Sequence, residues 1–304
     1  MKRDLTSFSL WTREQLSDIF SLARRLKRGD MQDVRSLIHK SAALIFEKES
    51  LRTRVSFEVG VAQLGGHPIF LQQETIGLAT RESVHDIASV LSRYNELIIA
   101  RTTRHQTLIQ LAESATVPVI NAMTDLVHPC QILADAFTLQ ELNRFTASTR
   151  IVFIGEGNNI VNSWLELAEK FPLNFVAAVP PGHEPHPLIL DQARGAGISR
   201  IEIIHDPIEA VQAADVVYTD VWSAPAAEGD AATHQLAFKP YQVNAALMKH
   251  TKPDSIVMHR LPAKRGEEIT REVIDGKNSV VLHQAENRLH VQKGVMAYLL
   301  NPPA

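Results

Sequence analysis

The strongest constraint on the fold is a rhythm. Short apolar runs alternate with amphipathic segments along nearly the whole chain, and the alternation starts twice. In the first half the runs are SAALIF, HPIFL, ELIIAR and VPVINA. The segment from Arg52 to Leu64, then SVHDIASVLSRY and HQTLIQLAESA, lie between them with helical periodicity. In the second half the runs are RIVFI, NFVAAV, IEIIHD, DVVYTDVW and SIVMHRLPA, separated by IVNSWLELAEKF, LILDQARGAG and PIEAVQAA. A strand buried on both faces reads as a continuous apolar run, and helical connections join parallel neighbours. The pattern therefore predicts an α/β protein with two doubly wound parallel-sheet domains.

A length of 304 residues suits two such domains. HPCQILADAFTLQEL reads as a helix that ends in the polar stretch NRFTASTR, which places the boundary within residues 135–150. Ahead of the first strand, Thr12 can cap a helix over Arg13–Lys27, with Leu16, Ile19, Phe20, Leu22 and Ala23 on one face. Gly65-Gly66 stops the helix that begins near Leu51. At the far end SVVLH reads as a strand leading into a long final helix. The segment Ser223–Phe238, rich in small residues, reads as a mobile lid.

Charge and cysteine content narrow the function classes. A formal charge of −3 gives no basic excess for a nucleic-acid partner. The single cysteine, Cys130, excludes an intrachain disulfide and paired-cysteine zinc sites. No apolar run is long enough to span a bilayer, and MKRDLTSFSLWTREQL has no long apolar core of a signal peptide. A cytoplasmic protein without membrane contact is expected.

Polar side chains gather where strands end. In KESLRTR a strand stops at Phe46 and a helix begins, so free N–H groups, the hydroxyls of Ser50 and Thr53, and Arg52 suit a phosphate. The plainer reading is an exposed, capped helix start with solvated arginines. Arg101 ends the run LIIA. His128 and Gln131 of HPCQ follow VPVINA, so three strand ends bring polar groups to one rim, where ligands of parallel sheets gather. GEGNN, with Asn158 and Asn159, follows RIVFI but lacks the GxGxxG fingerprint, so a tight turn or a polar-ligand site fits better than a dinucleotide site. Asp220 of YTDVW is an acid at a strand end, able to pair with an ammonium. His259 and Arg260 interrupt the run that Pro262 ends, and Arg288 lies in AENRLH.

In this order, FEKESLRTRVSFEVG, HPCQILAD, GEGNN followed by NS, YTDVW, HRLPAKRGEEIT and AENRLH resemble the aspartate/ornithine carbamoyltransferase family over essentially the whole chain. The match is closest to its ornithine branch. The resemblance implies a carbamoyl phosphate domain (residues 1–135 with 285–304) and an amino-acid domain (136–284), linked by crossing helices. It implies a homotrimer or a multiple of trimers, no cofactor, no metal, and a role in arginine biosynthesis. Carbamoyl phosphate would be held by Ser50, Leu51, Arg52, Thr53, Arg101, His128, Gln131 and Arg288. Arg101, His128 and Thr53 would stabilise the oxyanion as a side-chain amine attacks, giving citrulline from ornithine. Asn158, Asn159, Asp220, Ser223, Ala224, Arg260 and Leu261 would hold the amino acid. The segment Gln73–Glu82 would reach a neighbouring subunit's site.

Three positions depart from the family pattern. Leu51 stands where a threonine is usual, losing one hydroxyl but keeping its backbone N–H. Leu51 is expected to turn toward the core with Val55 and Val59. Ser223, Ala224, Pro225 and Ala226 replace the usual Ser-Met-Gly loop. Arg260 stands where the ornithine enzymes carry cysteine; pointing inward it would favour an acceptor with an added anion, and paired with Asp220 or Glu286 it would leave ornithine possible. Beside transfer to ornithine stand transfer to another amine, such as an acylated ornithine, and a non-catalytic subunit; the last conflicts with the intact donor-side residues.

Overall fold

The structure, a computed structural model, describes residues 2–30, 36–222 and 231–301, without the side chains of 231–234. The chain divides into two compact units, Met1–Phe137 with Glu286–Ala304, and Thr138–Ala285.

The first unit runs α1 (Arg13–Lys27), β1 (Ser41–Phe46), α2 (Leu51–Gln63), β2 (His67–Gln72), α3 (Gln73–Ile76), α4 (Val84–Tyr94), β3 (Leu97–Arg101), α5 (His105–Ser114), β4 (Val119–Met123) and α6 (Pro129–Glu141). Its strands pair in parallel in the order β2-β1-β3-β4. Ala43, Ile45, Ile98, Ala100 and Val119 of the sheet pack with Ile87, Leu108 and Leu111 of α4 and α5. Thr12 caps α1 as expected. Its side chain accepts from Gln15 N–H while the Gln15 side chain accepts from Thr12 N–H, a reciprocal cap worth about 1 kcal/mol.

The buried face of α2 is Thr53, Phe57, Gly60 and Val61, at helical spacing. That spacing sends Leu51, Val55 and Val59, four residues apart, along another stripe, where they are 74%, 45% and 37% exposed. The expectation that Leu51 turns to the core is therefore wrong. The inner stripe is fixed by Phe57 and by Gly60, where a Cβ would come 3.0 Å from the Met296 side chain.

The second unit runs β5 (Arg150–Ile154), α7 (Asn159–Ala168), β6 (Asn174–Ala178), α8 (Pro187–Gly195), β7 (Arg200–Ile204), α9 (Pro207–Ala210), β8 (Val216–Thr219), α10 (Ala231–Phe238), α11 (Ala245–Met248), β9 (Ile256–His259) and α12 (Arg271–Ile274). The last helix, α13 (Val281–Leu300), carries the chain back into the first unit. The strands are again all parallel, in the order β7-β6-β5-β8-β9.

One expected strand is absent. SVVLH is not a strand: the chain touches β9 at one bridge, Ser279 to Val257, and α13 starts at Val281. Two β-branched valines suggested a strand, but the buried positions Gln284, Asn287, Arg288, Val291, Val295 and Met296 follow helical spacing. Arg288 consequently lies inside the final helix rather than ahead of it. Part of the expected lid is helix α10, and residues 223–230, with Ser223, Ala224, Pro225 and Ala226, lie outside the described residues.

Strand order reverses once in each sheet, between β1 and β3 and between β5 and β8. In open parallel sheets the crevice beyond the strands' carboxyl ends at such a point is the natural ligand site.

Candidate functional site

In the first unit the reversal point is flanked by the segment after β1 and by Arg101, since Phe46 and Arg101 stand in register. Glu47 N–H donates to the Arg101 carbonyl at 2.9 Å, and Thr103 N–H donates to Glu47 Oε2 at 2.5 Å, which ties the two strand ends together. Ser50 caps α2: its Oγ accepts from Thr53 N–H at 3.4 Å and donates to Thr53 Oγ1 at 2.9 Å. Arg288, 4% exposed, reaches in from α13 and donates to the same Thr53 Oγ1 at 2.7 Å. Arg52 is half-buried on the first turn of α2, and Leu51 contributes backbone rather than packing.

His128 and Gln131, each 1% exposed, open α6 beyond β4. Gln131 Nε2 donates to Asp135 Oδ1 at 2.8 Å, and Gln131 Oε1 has no hydrogen-bond partner among the described residues. Burial pushes the Cys130 thiol up to about 12, only partly opposed by the nearby Arg288 charge. A thiol so placed stays protonated and is no nucleophile. Ser50 and Arg288 are thus both bonded to Thr53, and the Arg288 charge also acts on Cys130 in the first turn of α6. Sequence reading missed Glu47 and Asp135; the spacing of Gln131 and Asp135, four apart on one helix, was the available signal.

The two arginines of α2 part company. Arg54 Nε pairs with Glu58 at 2.9 Å, and its guanidinium stacks 3.5 Å from the centre of the Phe70 ring. Beside it a cleft of about 690 Å3 is lined by Phe46, Lys48, Ser50, Leu51, Arg54 and Phe70.

In the second unit, Asn158 caps α7 through its Oδ1, which accepts from Ile160 N–H at 2.9 Å, while its Nδ2 donates to Asp220 Oδ2 at 3.1 Å. Asn159, 7% exposed, is the first residue of that helix. The turn before it needs glycine: a Cβ on Gly157 would lie 2.2 Å from the backbone nitrogen of Pro185. Asp220 follows β8 and is 2% exposed.

Arg260 follows β9 and donates from Nε to Asp220 Oδ2 at 2.5 Å. Of the orientations open in the sequence, the structure shows the pairing with Asp220. Removing one partner of so buried a pair costs about 3–5 kcal/mol. Arg260 stands on a firmly held turn. Leu261 N–H donates to His259 Nδ1 at 2.9 Å, so the His259 proton sits on Nε2 and is donated to Glu268 Oε1 at 3.0 Å. Lys264 N–H donates to the same oxygen at 2.7 Å. Leu261 is held at φ 57°, a conformation costing an L residue about 1–2 kcal/mol. No group of three His, Cys, Asp or Glu side chains able to hold a metal ion occurs among the described residues. No described helix is long and apolar enough to cross a membrane.

Comparison with known proteins identifies the family. Residues 3–141 match the family model described as the aspartate/ornithine carbamoyltransferase carbamoyl-P binding domain, and residues 147–299 match its Asp/Orn binding domain. The ornithine carbamoyltransferase of Chlorobaculum tepidum is 47% identical over 305 aligned residues, covering 99% of this chain and 90% of that protein. The solved ornithine carbamoyltransferase of Pyrococcus furiosus superposes with a TM-score of 0.93 at 43% identity, over 100% of this chain and 98% of that one. That of Thermus thermophilus gives 0.90 at 41% identity, over 99% and 100%. With both family models matching and both sheets carrying polar groups at their reversal points, the chain belongs to the aspartate/ornithine carbamoyltransferase family.

Proposed function

We propose that this protein transfers the carbamoyl group of carbamoyl phosphate to the side-chain amine of ornithine, giving citrulline and phosphate. The observation that carries the reading is the constellation around Thr53: a helix N-terminus, two hydroxyls and the Arg288 guanidinium converge beside Arg52. Such a set suits a dianionic phosphoryl group. Arg52, Ser50 and the N–H groups of the first turn, Leu51 included, hold the phosphate. Arg101, His128 and Thr53 take the carbonyl oxygen, with Gln131 and Arg288 completing the donor's contacts.

The chemistry needs little else. A neutral amine attacks the carbamoyl carbon, a tetrahedral oxyanion forms, and it collapses with cleavage of the C–O bond to phosphate, which leaves and takes the proton that the amine nitrogen gives up. Fixed donors aimed at that oxyanion lower the barrier because they need no reorganisation, and cationic groups on the leaving phosphate act in the same way. Nearby positive charge also favours the neutral form of the attacking amine. Asp220, Asn158 and Asn159 hold the amino acid's backbone groups, with Leu261 and the Ser223–Ala224 segment completing the acceptor contacts.

The active form in this reading is a homotrimer. The exposed stripe Leu51, Val55 and Val59 beside the α2 cleft supports an assembly that covers it. The segment Gln73–Glu82, which begins with α3, is the part expected to reach a neighbouring subunit. The setting is arginine biosynthesis in the cytoplasm.

Phosphate release from carbamoyl phosphate, followed with ornithine and then with a panel of other amines, tests the reading. Release that depends on ornithine is expected. Release with another amine and none with ornithine overturns the acceptor, and no release with any amine overturns the enzyme.

A further inference from the structure

Helix α6 begins in the interior of the first unit, where every residue from Val127 to Phe137 is buried. Ile132, Leu133, Ala134 and Ala136 make these surroundings apolar. Among them Gln131 and Asp135 stand four residues apart on one face, 1% and 0% exposed. Gln131 Nε2 donates to Asp135 Oδ1 at 2.8 Å. A carboxylate oxygen accepts and does not donate, so only the NH2 side of the amide can face Asp135. The amide oxygen is thereby turned away from the carboxylate. Gln131 Oε1 is buried with no hydrogen-bond partner among the described residues. A buried amide oxygen in that condition is an acceptor that lacks its donor. A carboxamide without a neighbour of fixed polarity can turn over. Here the reversed amide would set Oε1 against Asp135 Oδ1, two buried acceptors with no proton between them.

We propose that Asp135 is a positioning residue for the donor site: it fixes the direction of the Gln131 amide, so that Oε1 stands ready to accept from the N–H of the donor's carbamoyl group. The inference rests on the carbamoyl-transfer reading given above. It assigns to Asp135 the selection of an acyl phosphate whose acyl group carries nitrogen. Acetyl phosphate is nearly the same size, with a methyl group where carbamoyl phosphate has NH2. The methyl leaves Oε1 bare, and Asp135 prevents the amide from turning to avoid it. The pair thus acts against the methyl analogue through the group it leaves unsatisfied. Inorganic phosphate lacks the acyl end and makes no contact with Gln131 in this reading.

Asp135→Asn keeps the shape of the side chain and replaces an acceptor-only group by one that also donates, so the Gln131 amide loses its fixed direction. By calorimetry, carbamoyl phosphate is expected to bind about fivefold or more weakly to this variant, the worth of one hydrogen bond. Acetyl phosphate and inorganic phosphate should change by less than about twofold. Equal weakening of all three ligands, or unchanged affinity for carbamoyl phosphate, overturns the proposal.

Reversing the polarity of the pair supplies a second reading. Gln131→Glu alone sets two carboxylates face to face, and kcat/KM for carbamoyl phosphate should fall about tenfold or more. Adding Asp135→Asn lets the new amide donate to the new carboxylate, whose second oxygen is left as the acceptor. Asp135→Asn is therefore expected to lower kcat/KM when residue 131 is glutamine and to raise it about fivefold or more when residue 131 is glutamate. A role in packing alone lowers it in both, and that result overturns the proposal. Thermal melting checks that the variants fold. Should either single variant not fold, the double variant is measured in its place: it should keep the preference for carbamoyl over acetyl phosphate, and equal affinity for the two overturns the proposal. The two levels separate cleanly. No ornithine-dependent phosphate release from the unaltered protein sinks the carbamoyl-transfer reading, whereas such release together with a contrary result in the variants sinks only the role of Asp135.

Discussion

Arg52 and Arg54 stand two residues apart, and the helix sends them to different work. Arg54 is accounted for within the first unit by Glu58 and the Phe70 ring. Arg54→Ala is expected to cost about 0.5–1.5 kcal/mol, from a cation–π contact and an exposed ion pair, and to leave the KM for carbamoyl phosphate unchanged. Arg52→Ala is expected to leave thermal stability nearly unaltered and to weaken carbamoyl phosphate binding about tenfold or more by calorimetry. Unchanged affinity would remove Arg52 from the phosphate site. Ser50, Thr53, Arg101, His128 and Gln131 were legible as candidates because each lies at or shortly past the end of an apolar run. The bond from Arg288 to Thr53 was not, because it joins residues 235 positions apart. The partner of Arg260 was one of several possibilities in the sequence, since a strand-end arginine shows its charge but not its neighbours.

At the scale of elements, glycine at the β5–α7 turn is the sharpest requirement. Gly157 N–H donates to the His183 carbonyl at 2.8 Å, and the 183–185 backbone occupies the space a side chain would need. Gly157→Ala should lower stability by about 1–3 kcal/mol, seen as a lower melting temperature, because backbone rather than a flexible side chain must move. A melting temperature equal to that of the unaltered protein would show that the turn gives way freely. The strands were largely legible, since a strand covered on both faces is one apolar run. The final helix start was not: Val280 and Val281 carry strand propensity, and tertiary packing of α13 overrides it. The outward stripe of α2 was misread because apolar residues recur on two of its faces, and only the neighbours decide which one is covered.

At the scale of the whole molecule, the helices that close the first unit carry a pH dependence. His290 on α13 is held below its ordinary value of 6.5, first by burial and then by the charges of Lys293 and Lys27, against the pull of Glu286. The unfolded chain therefore takes up this proton first as pH falls, and stability rises with pH through that window. The contribution is fully present above about 6.5 and is lost as pH drops through the folded value. Melting temperature should fall as pH is lowered below that point, and His290→Gln should flatten the fall. An identical pH profile in the variant would contradict the assignment.

The two-part architecture was legible from the restart of the βα rhythm, whereas assembly is not, because an exposed apolar stripe does not name its partner. The account as a whole turns on one reaction. With carbon-labelled carbamoyl phosphate and ornithine, product analysis should show labelled citrulline formed one-for-one with phosphate. Phosphate released without labelled citrulline, or label transferred only to a different amine, would contradict it.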